Sequence, residues 1–155
     1  MIAPATPPPP AAFRFHGETT DGKSATYPDD AHGKPLVLVV GFTQKSAKAT
    51  DAWTEELEKK SGAHAAIVGV AVLDQVPGFV RGFVKKAIDK NVGPPQPGEA
   101  GFVTTFEGGG LRASAPAGSA DDPVIYIFRA DGSVASTLRA PYSASAAAQI
   151  EGAIP

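Results

Sequence analysis

The sequence predicts an α/β fold: a mixed central sheet flanked by helices, behind an N-terminal β-hairpin. Three observations predict it. Residues 34–42 (KPLVLVVGF) and 65–73 (AAIVGVAVL) are continuously apolar and β-branched, the mark of strands buried on both faces. Between them Ala49, Ala52, Trp53, Glu56 and Leu57 recur at helical spacing, so the two strands should be parallel with a right-handed crossover. A later apolar run over 123–128 is followed by Asp131-Gly132, a strong hairpin signal, and should return antiparallel over 133–139.

The remaining elements fit around this frame. Residues 13–16 alternate apolar and polar like a half-buried strand, Asp21-Gly22 turns the chain, and 24–27 returns. The first helix should run over 46–60, with Trp53 and Leu57 inward, Lys59 and Lys60 suiting its C-terminus and Gly62 its exit. A second helix is predicted over 77–90. Phe79, Val80, Phe83, Val84, Ala87 and Ile88 form an apolar stripe expected to pack on the core, and Arg81, Lys85, Lys86 and Lys90 are expected to face water. Residues 92–101 are rich in proline and glycine and read as loop. Residues 102–106 read as a strand, broken by Gly108-Gly109-Gly110, and 111–122 as irregular. An alanine-rich helix over 143–154, capped by Ser143 or Ser145, closes the chain.

Composition bounds the function classes. A chain of 155 residues suits one domain with a self-sufficient core. The net charge is −2, from 14 basic and 16 acidic side chains, and no basic stripe carries interleaved aromatics, so nucleic acid is not expected as a partner. No apolar run approaches the ~20 residues of a membrane-spanning helix. Cysteine is absent, which excludes disulfides, thiolate catalysis, cysteine-ligated zinc and iron–sulfur clusters. Residues 1–12, with Pro7 to Pro10 in succession, read as a disordered Pro/Ala-rich tether in an extended polyproline II conformation. Residues 13–155 then form the single folded domain. Such a leader resembles the segment just after a cleaved export signal, so a mature exported domain in the bacterial periplasm is expected, with a cytoplasmic protein the alternative.

In this order and spacing the chain resembles the thioredoxin-like superfamily nearly end to end. The resemblance lies in Asp21-Gly22-Lys23, in His32-Gly33-Lys34-Pro35 before the buried strand, in the helix carrying Trp53 and Leu57, and in residues 122–128 followed by Asp131-Gly132. The opening is that of redoxin and TlpA-like proteins. The stretches Gly41-Phe42-Thr43 … Trp53 and 72–77 … 80–84 look like a smaller group, the bacterial relatives of the mitochondrial ATP synthase assembly factor family. The resemblance implies a cis peptide bond before Pro123 and a groove in which the backbone ahead of it pairs with an extended peptide. It also implies two cysteines in the loop leading into the first helix. Here that loop is Thr43-Gln44-Lys45-Ser46-Ala47-Lys48-Ala49-Thr50, and Ser46 and Ala49 fall on the redox positions.

Other chemistry is weakly supported. A serine hydroxyl is a poor nucleophile without a positioned base, and His16, His32 and His64 lie badly for reaching Ser46. The paired acids Asp29-Asp30, Glu55-Glu56 and Asp121-Asp122 diverge when adjacent on an element, so no metal site is expected. Gly108-Gly109-Gly110 lacks the Lys-Ser/Thr of a phosphate loop. The expectation is therefore a redox-inactive binding or assembly-assisting domain without catalytic residues or cofactor. Its contact surface would be Thr43, Gln44, Lys45, Asp122 and Pro123, and its partner a protein or extended peptide. An enzyme using non-thiol groups in the same cleft, or a purely structural module, are the alternatives, and the oligomeric state stays open.

Overall fold

The structure is a computed structural model describing residues 14–94, 96 and 100–155. The predicted tether, Phe13 at the head of the first predicted strand and part of the 92–101 loop lie outside the described residues. Seven strands form one sheet: β1 (Phe15–Thr19), β2 (Ser24–Tyr27), β3 (Leu36–Gly41), β4 (Ala66–Val72), β5 (Gly101–Thr105), β6 (Val124–Phe128) and β7 (Val134–Arg139). Their spatial order is β2-β1-β5-β4-β3-β6-β7. β3, β4 and β5 run parallel, while β6 and β7 on one side and β1 and β2 on the other are antiparallel. The predicted mixed sheet with its leading hairpin is what forms.

Strict alternation along the strands divides the core in two. Leu36, Leu38 and Val40 share one face with Val68, Val70, Val72, Tyr126 and Phe128. Val37 and Val39 share the other with Ile67, Ile125 and Ile127. The second face is covered by α1 (Ala47–Ser61) and α4 (Ala144–Ala153), through Trp53, Leu57, Ala147 and Ile150. Trp53 is fully buried, its indole Nε1 donates to the Ala140 carbonyl at 3.2 Å, and its ring meets Tyr142 edge-on. One side chain thus ties α1 to the segment leaving β7. Ser143 caps α4, accepting from the Ala146 amide at 3.0 Å. The first face is closed by Leu111 on α3 (Gly109–Ser114), a short helix where the sequence suggested irregular chain.

The other long helix departs from expectation. A 3₁₀ turn over Gly78–Val80 precedes α2 (Arg81–Val92), and no residue of either is buried. Phe79 is 91% and Phe83 78% exposed. The stripe splits because α2 turns its 80/84/88 row inward and its 79/83/87 row outward. Polar anchors hold that rotation. The Arg81 guanidinium donates to the carbonyls of Val76 (3.0 Å) and Asp74 (3.2 Å). Lys85 bridges Glu18 on β1 at 3.3 Å and also pairs with Asp89. Two cations assigned to water therefore face the protein, and two phenylalanines assigned to the core face out. Phe83→Ser is expected to leave stability within about 0.5 kcal/mol of the parent. Leu57→Ala, at a fully buried position, should cost roughly 2–5 kcal/mol. Urea denaturation checks both, and a large loss from the phenylalanine change would contradict this helix orientation.

Candidate functional site

The C-terminal end of β3 carries Gly41, Phe42 and Thr43 into a 3₁₀ turn over Gln44–Ser46 and then α1. This is the loop in which the resemblance implies the redox positions. Ser46 is 1% exposed, and its hydroxyl donates to the Thr43 carbonyl at 2.6 Å. The Thr50 hydroxyl donates to the Ser46 carbonyl at 2.9 Å. A Cβ on Gly41 would stand 2.5 Å from Ser46 Oγ and 3.0 Å from Thr50 Oγ1, so this corner closes only over a glycine. The Ser46 hydroxyl is a buried structural donor with no histidine beside it, not an activated nucleophile. Ala49 is half-buried one turn on, and Gln44 and Lys45 are exposed.

The loop meets the turn before β6. Thr43 Oγ1 donates to Asp121 Oδ1 at 2.8 Å, bringing the two predicted contact segments together through Asp121. The Asp121 amide turns to Ser119 Oγ (3.3 Å) and the Asp122 amide to the Ser119 carbonyl (3.1 Å), so both donors are engaged locally. Pro123 is buried, and its carbonyl accepts from the Ala140 amide at 3.2 Å. The expected cis bond before Pro123 is not there. That bond is trans, and the cis bond among the described residues is Tyr27–Pro28. The Ser119–Asp122 turn leads into β6 through a trans bond, the isomer that X–Pro intrinsically prefers by about 0.5–1 kcal/mol. The histidines stand apart from Ser46: His16 Nδ1 lies 3.2 Å from Thr26 Oγ1 on the leading hairpin, and His32 and His64 are exposed. No group of three metal-ligating side chains occurs among the described residues.

Beside this loop lies a feature the sequence did not single out. Asp74, just past β4, accepts two hydrogen bonds from Arg112 on α3, from Nε at 2.9 Å and Nη2 at 2.7 Å. These hold the Asp74 carboxyl below the usual carboxylate range. The Arg112 guanidinium carbon sits 4.9 Å from the Phe42 ring centroid, and that of Arg139, at the end of β7, 5.7 Å. With Ala115 they line a pocket of about 130 Å³. Gly108, the first of the glycine run at 108–110, makes the arrangement possible. A Cβ on Gly108 would lie 2.6 Å from both Asp74 Cγ and Val72 Cγ1. Gly108 is thus a close-approach point at the start of α3. A wider hollow of about 530 Å³ separates α1 from the end of α2 and is lined by Asp51, Glu55 and Glu58 with Lys59. Burial raises the Asp51 and Glu58 carboxyls above their usual range.

A scan against family models matches none, and a search of curated proteins finds no relative. Solved structures do resemble the fold. Etrx1, the pneumococcal exposed lipoprotein thioredoxin of Streptococcus pneumoniae, superposes with a TM-score of 0.63 at 16% identity, covering 90% of this chain and 98% of that one. StoA from Bacillus subtilis gives 0.61 at 14%, covering 94% and 98%. BsSco, a member of the Sco family of cytochrome c oxidase assembly proteins, gives 0.58 at 12%, covering 92% of each. At such identities the likeness carries the fold: this is a thioredoxin-like α/β domain, and its sequence has no cysteine.

Two predictions attach to this end of the sheet. Gly108→Ala should destabilise by roughly 1–3 kcal/mol through overpacking against Asp74 and Val72, measured by chemical denaturation. Asp74→Asn should cost on the order of 1–3 kcal/mol at neutral pH by weakening the Arg112 pair. Because the Asp74 carboxyl is lowered on folding, its contribution is complete above the ordinary aspartate pKa of about 3.9 and is lost as pH falls through the lowered value. The parent should therefore lose stability more steeply than Asp74→Asn below that pH, read from denaturation midpoints across an acid series.

Proposed function

We propose that this chain is a redox-inactive binding domain that assists the handling or assembly of a protein or extended peptide. Its contact surface is formed by Thr43, Gln44, Lys45, Asp121 and Asp122; Pro123, expected in that surface, is buried behind it. The observation carrying this reading is the pairing of a thioredoxin-like fold with vacated chemistry. Ser46 and Ala49 stand where the resemblance puts the redox pair, and the Ser46 hydroxyl is buried against the Thr43 carbonyl. The exposed side chains of Gln44 and Lys45 beside the Thr43–Asp121 hydrogen bond leave a polar rim for a partner. Peptide contact here runs through side chains more than through strand addition, since the Asp121 and Asp122 amides already have acceptors. Likeness to BsSco supports an assembly role, and likeness to an exposed lipoprotein supports export. No helix among the described residues is long and apolar enough to cross a membrane.

The test is a titration of the full chain with a library of extended peptides, followed by amide chemical shifts. Saturable shifts concentrated at residues 43–45 and 121–122, weakened by Lys45→Glu or Thr43→Val, are expected. Turnover of an ester, phosphoester or peptide substrate that disappears in Ser46→Ala or Asp122→Asn would replace this reading with a non-thiol enzyme.

A further inference from the structure

We infer that the pocket formed by Phe42, Arg112, Ala115 and Arg139 is an oxyanion-binding site, taking a carboxylate or phosphate group. The inference rests on the reading that this end of the sheet is a binding surface, and it supplies the chemistry recognised there.

Charge is the first argument. Two guanidiniums converge on one aromatic ring, at 4.9 and 5.7 Å from the Phe42 centroid. Both line one pocket, and only Arg112 has a carboxylate partner. Asp74 takes the Nε/Nη2 edge of Arg112 in a two-pronged pair and leaves Nη1 outside that pair. Arg139 makes no ion pair among the described residues. Its Nη1 donates to a neutral acceptor, the Pro116 carbonyl at 3.0 Å, and its Nε is buried without a hydrogen-bond partner. The pocket therefore keeps one uncompensated positive charge. A planar fork with spare donors is the geometry that matches carboxylate and phosphate oxygens.

The second argument is that the arms are built into place. Gly108 leaves the room that the Asp74 carboxylate fills. At Gly118 a Cβ would stand 2.9 Å from Arg139 Cδ, and φ there is +158°, so this turn lies over Arg139 only as glycine. Phe42 offers its ring to both cations, an attraction that strengthens as water is excluded. Arg139 is paired across the ladder with Val124, next to Pro123, and Phe42 is joined directly to Thr43. A ligand reaching from the 43–45 loop can thus place a charged group between the arginines. The third argument is size. A pocket of about 130 Å³ equals about four waters' share of the liquid, room for a carboxylate or phosphate group together with a water or two.

The same oxygens can come from a free ion or from a peptide. The experiment uses the full chain with three probes: inorganic phosphate, acetate, and an extended peptide compared as free acid and C-terminal amide. Binding is followed by arginine side-chain resonances and Trp53 fluorescence at low salt. Saturable binding of phosphate or acetate, weakened roughly tenfold or more in Arg139→Gln, supports a site for a free oxyanion. Tighter binding of the free-acid peptide than of its amide, with the difference erased in Arg139→Gln, supports a peptide carboxylate as the source. Ala115→Glu places a carboxylate within the pocket and should abolish binding of every probe, which keeps the test open if Arg139→Gln does not fold. No saturable binding of any probe by the parent, or equal binding by the parent and a folded Arg139 variant, overturns the site. Equal binding of acid and amide peptides with shifts at residues 43–45 and no effect of Arg139→Gln overturns the oxyanion site while leaving the binding reading intact. Phosphate binding with no peptide binding does the reverse.

Discussion

Everything in this molecule is referred to the strand Leu36–Gly41. It is hydrogen-bonded on both edges, parallel to β4 and antiparallel to β6, and both its faces are closed to water. A segment so enclosed can neither slip in register nor tilt without opening two cores at once, because a one-residue shift exchanges every side chain between the faces. Its exit point is therefore fixed in space. Gly41, Phe42 and Thr43 leave it in succession, and they respectively admit the Ser46 corner, present a ring to two arginines and fasten the Asp121 turn. The geometry of the whole candidate surface is inherited from one strand's inability to move.

The parts legible in the sequence are those in which local pattern and burial agree. β3 and β4 were readable because an unbroken β-branched run has few other uses in a soluble domain. The Asp131-Gly132 turn was readable because few dipeptides tolerate its backbone, and Gly132 does sit at φ +88°. The helix carrying Trp53 and Leu57 was readable because both anchors fall on a single stripe. Where several rows of one helix were apolar, pattern could not choose between them. In α2 the choice was made by Arg81 and Lys85, whose partners are two carbonyls near the end of β4 and a glutamate on β1. Those are tertiary facts with no local signature.

The candidate site shows the same division. The 43–49 loop could be located by its position after a buried strand, and the structure joins it to the turn before Pro123. The isomer of that proline could not be read from the residues, since it depends on how the preceding turn delivers the chain. The arginine pocket was invisible for a different reason. Phe42, Arg112 and Arg139 come from three separated stretches, and only the sheet order brings them together. The one trace in the sequence was the glycine run at 108–110. It has the look of a loose linker, but its first residue is where a carboxylate and a valine crowd the backbone.

The missing sulfur has a consequence beyond lost reactivity. Met1 is the only sulfur-bearing residue in the chain, and at the head of α1 there is a hydroxyl tied down by a carbonyl. No mixed disulfide can tether this domain to a client, and no oxidant or reductant can switch that corner between two states. A contact made at that corner forms without a sulfur bond, so its residence time follows from its dissociation rate. Its side chains include no thiol whose state would follow an oxidising or reducing environment.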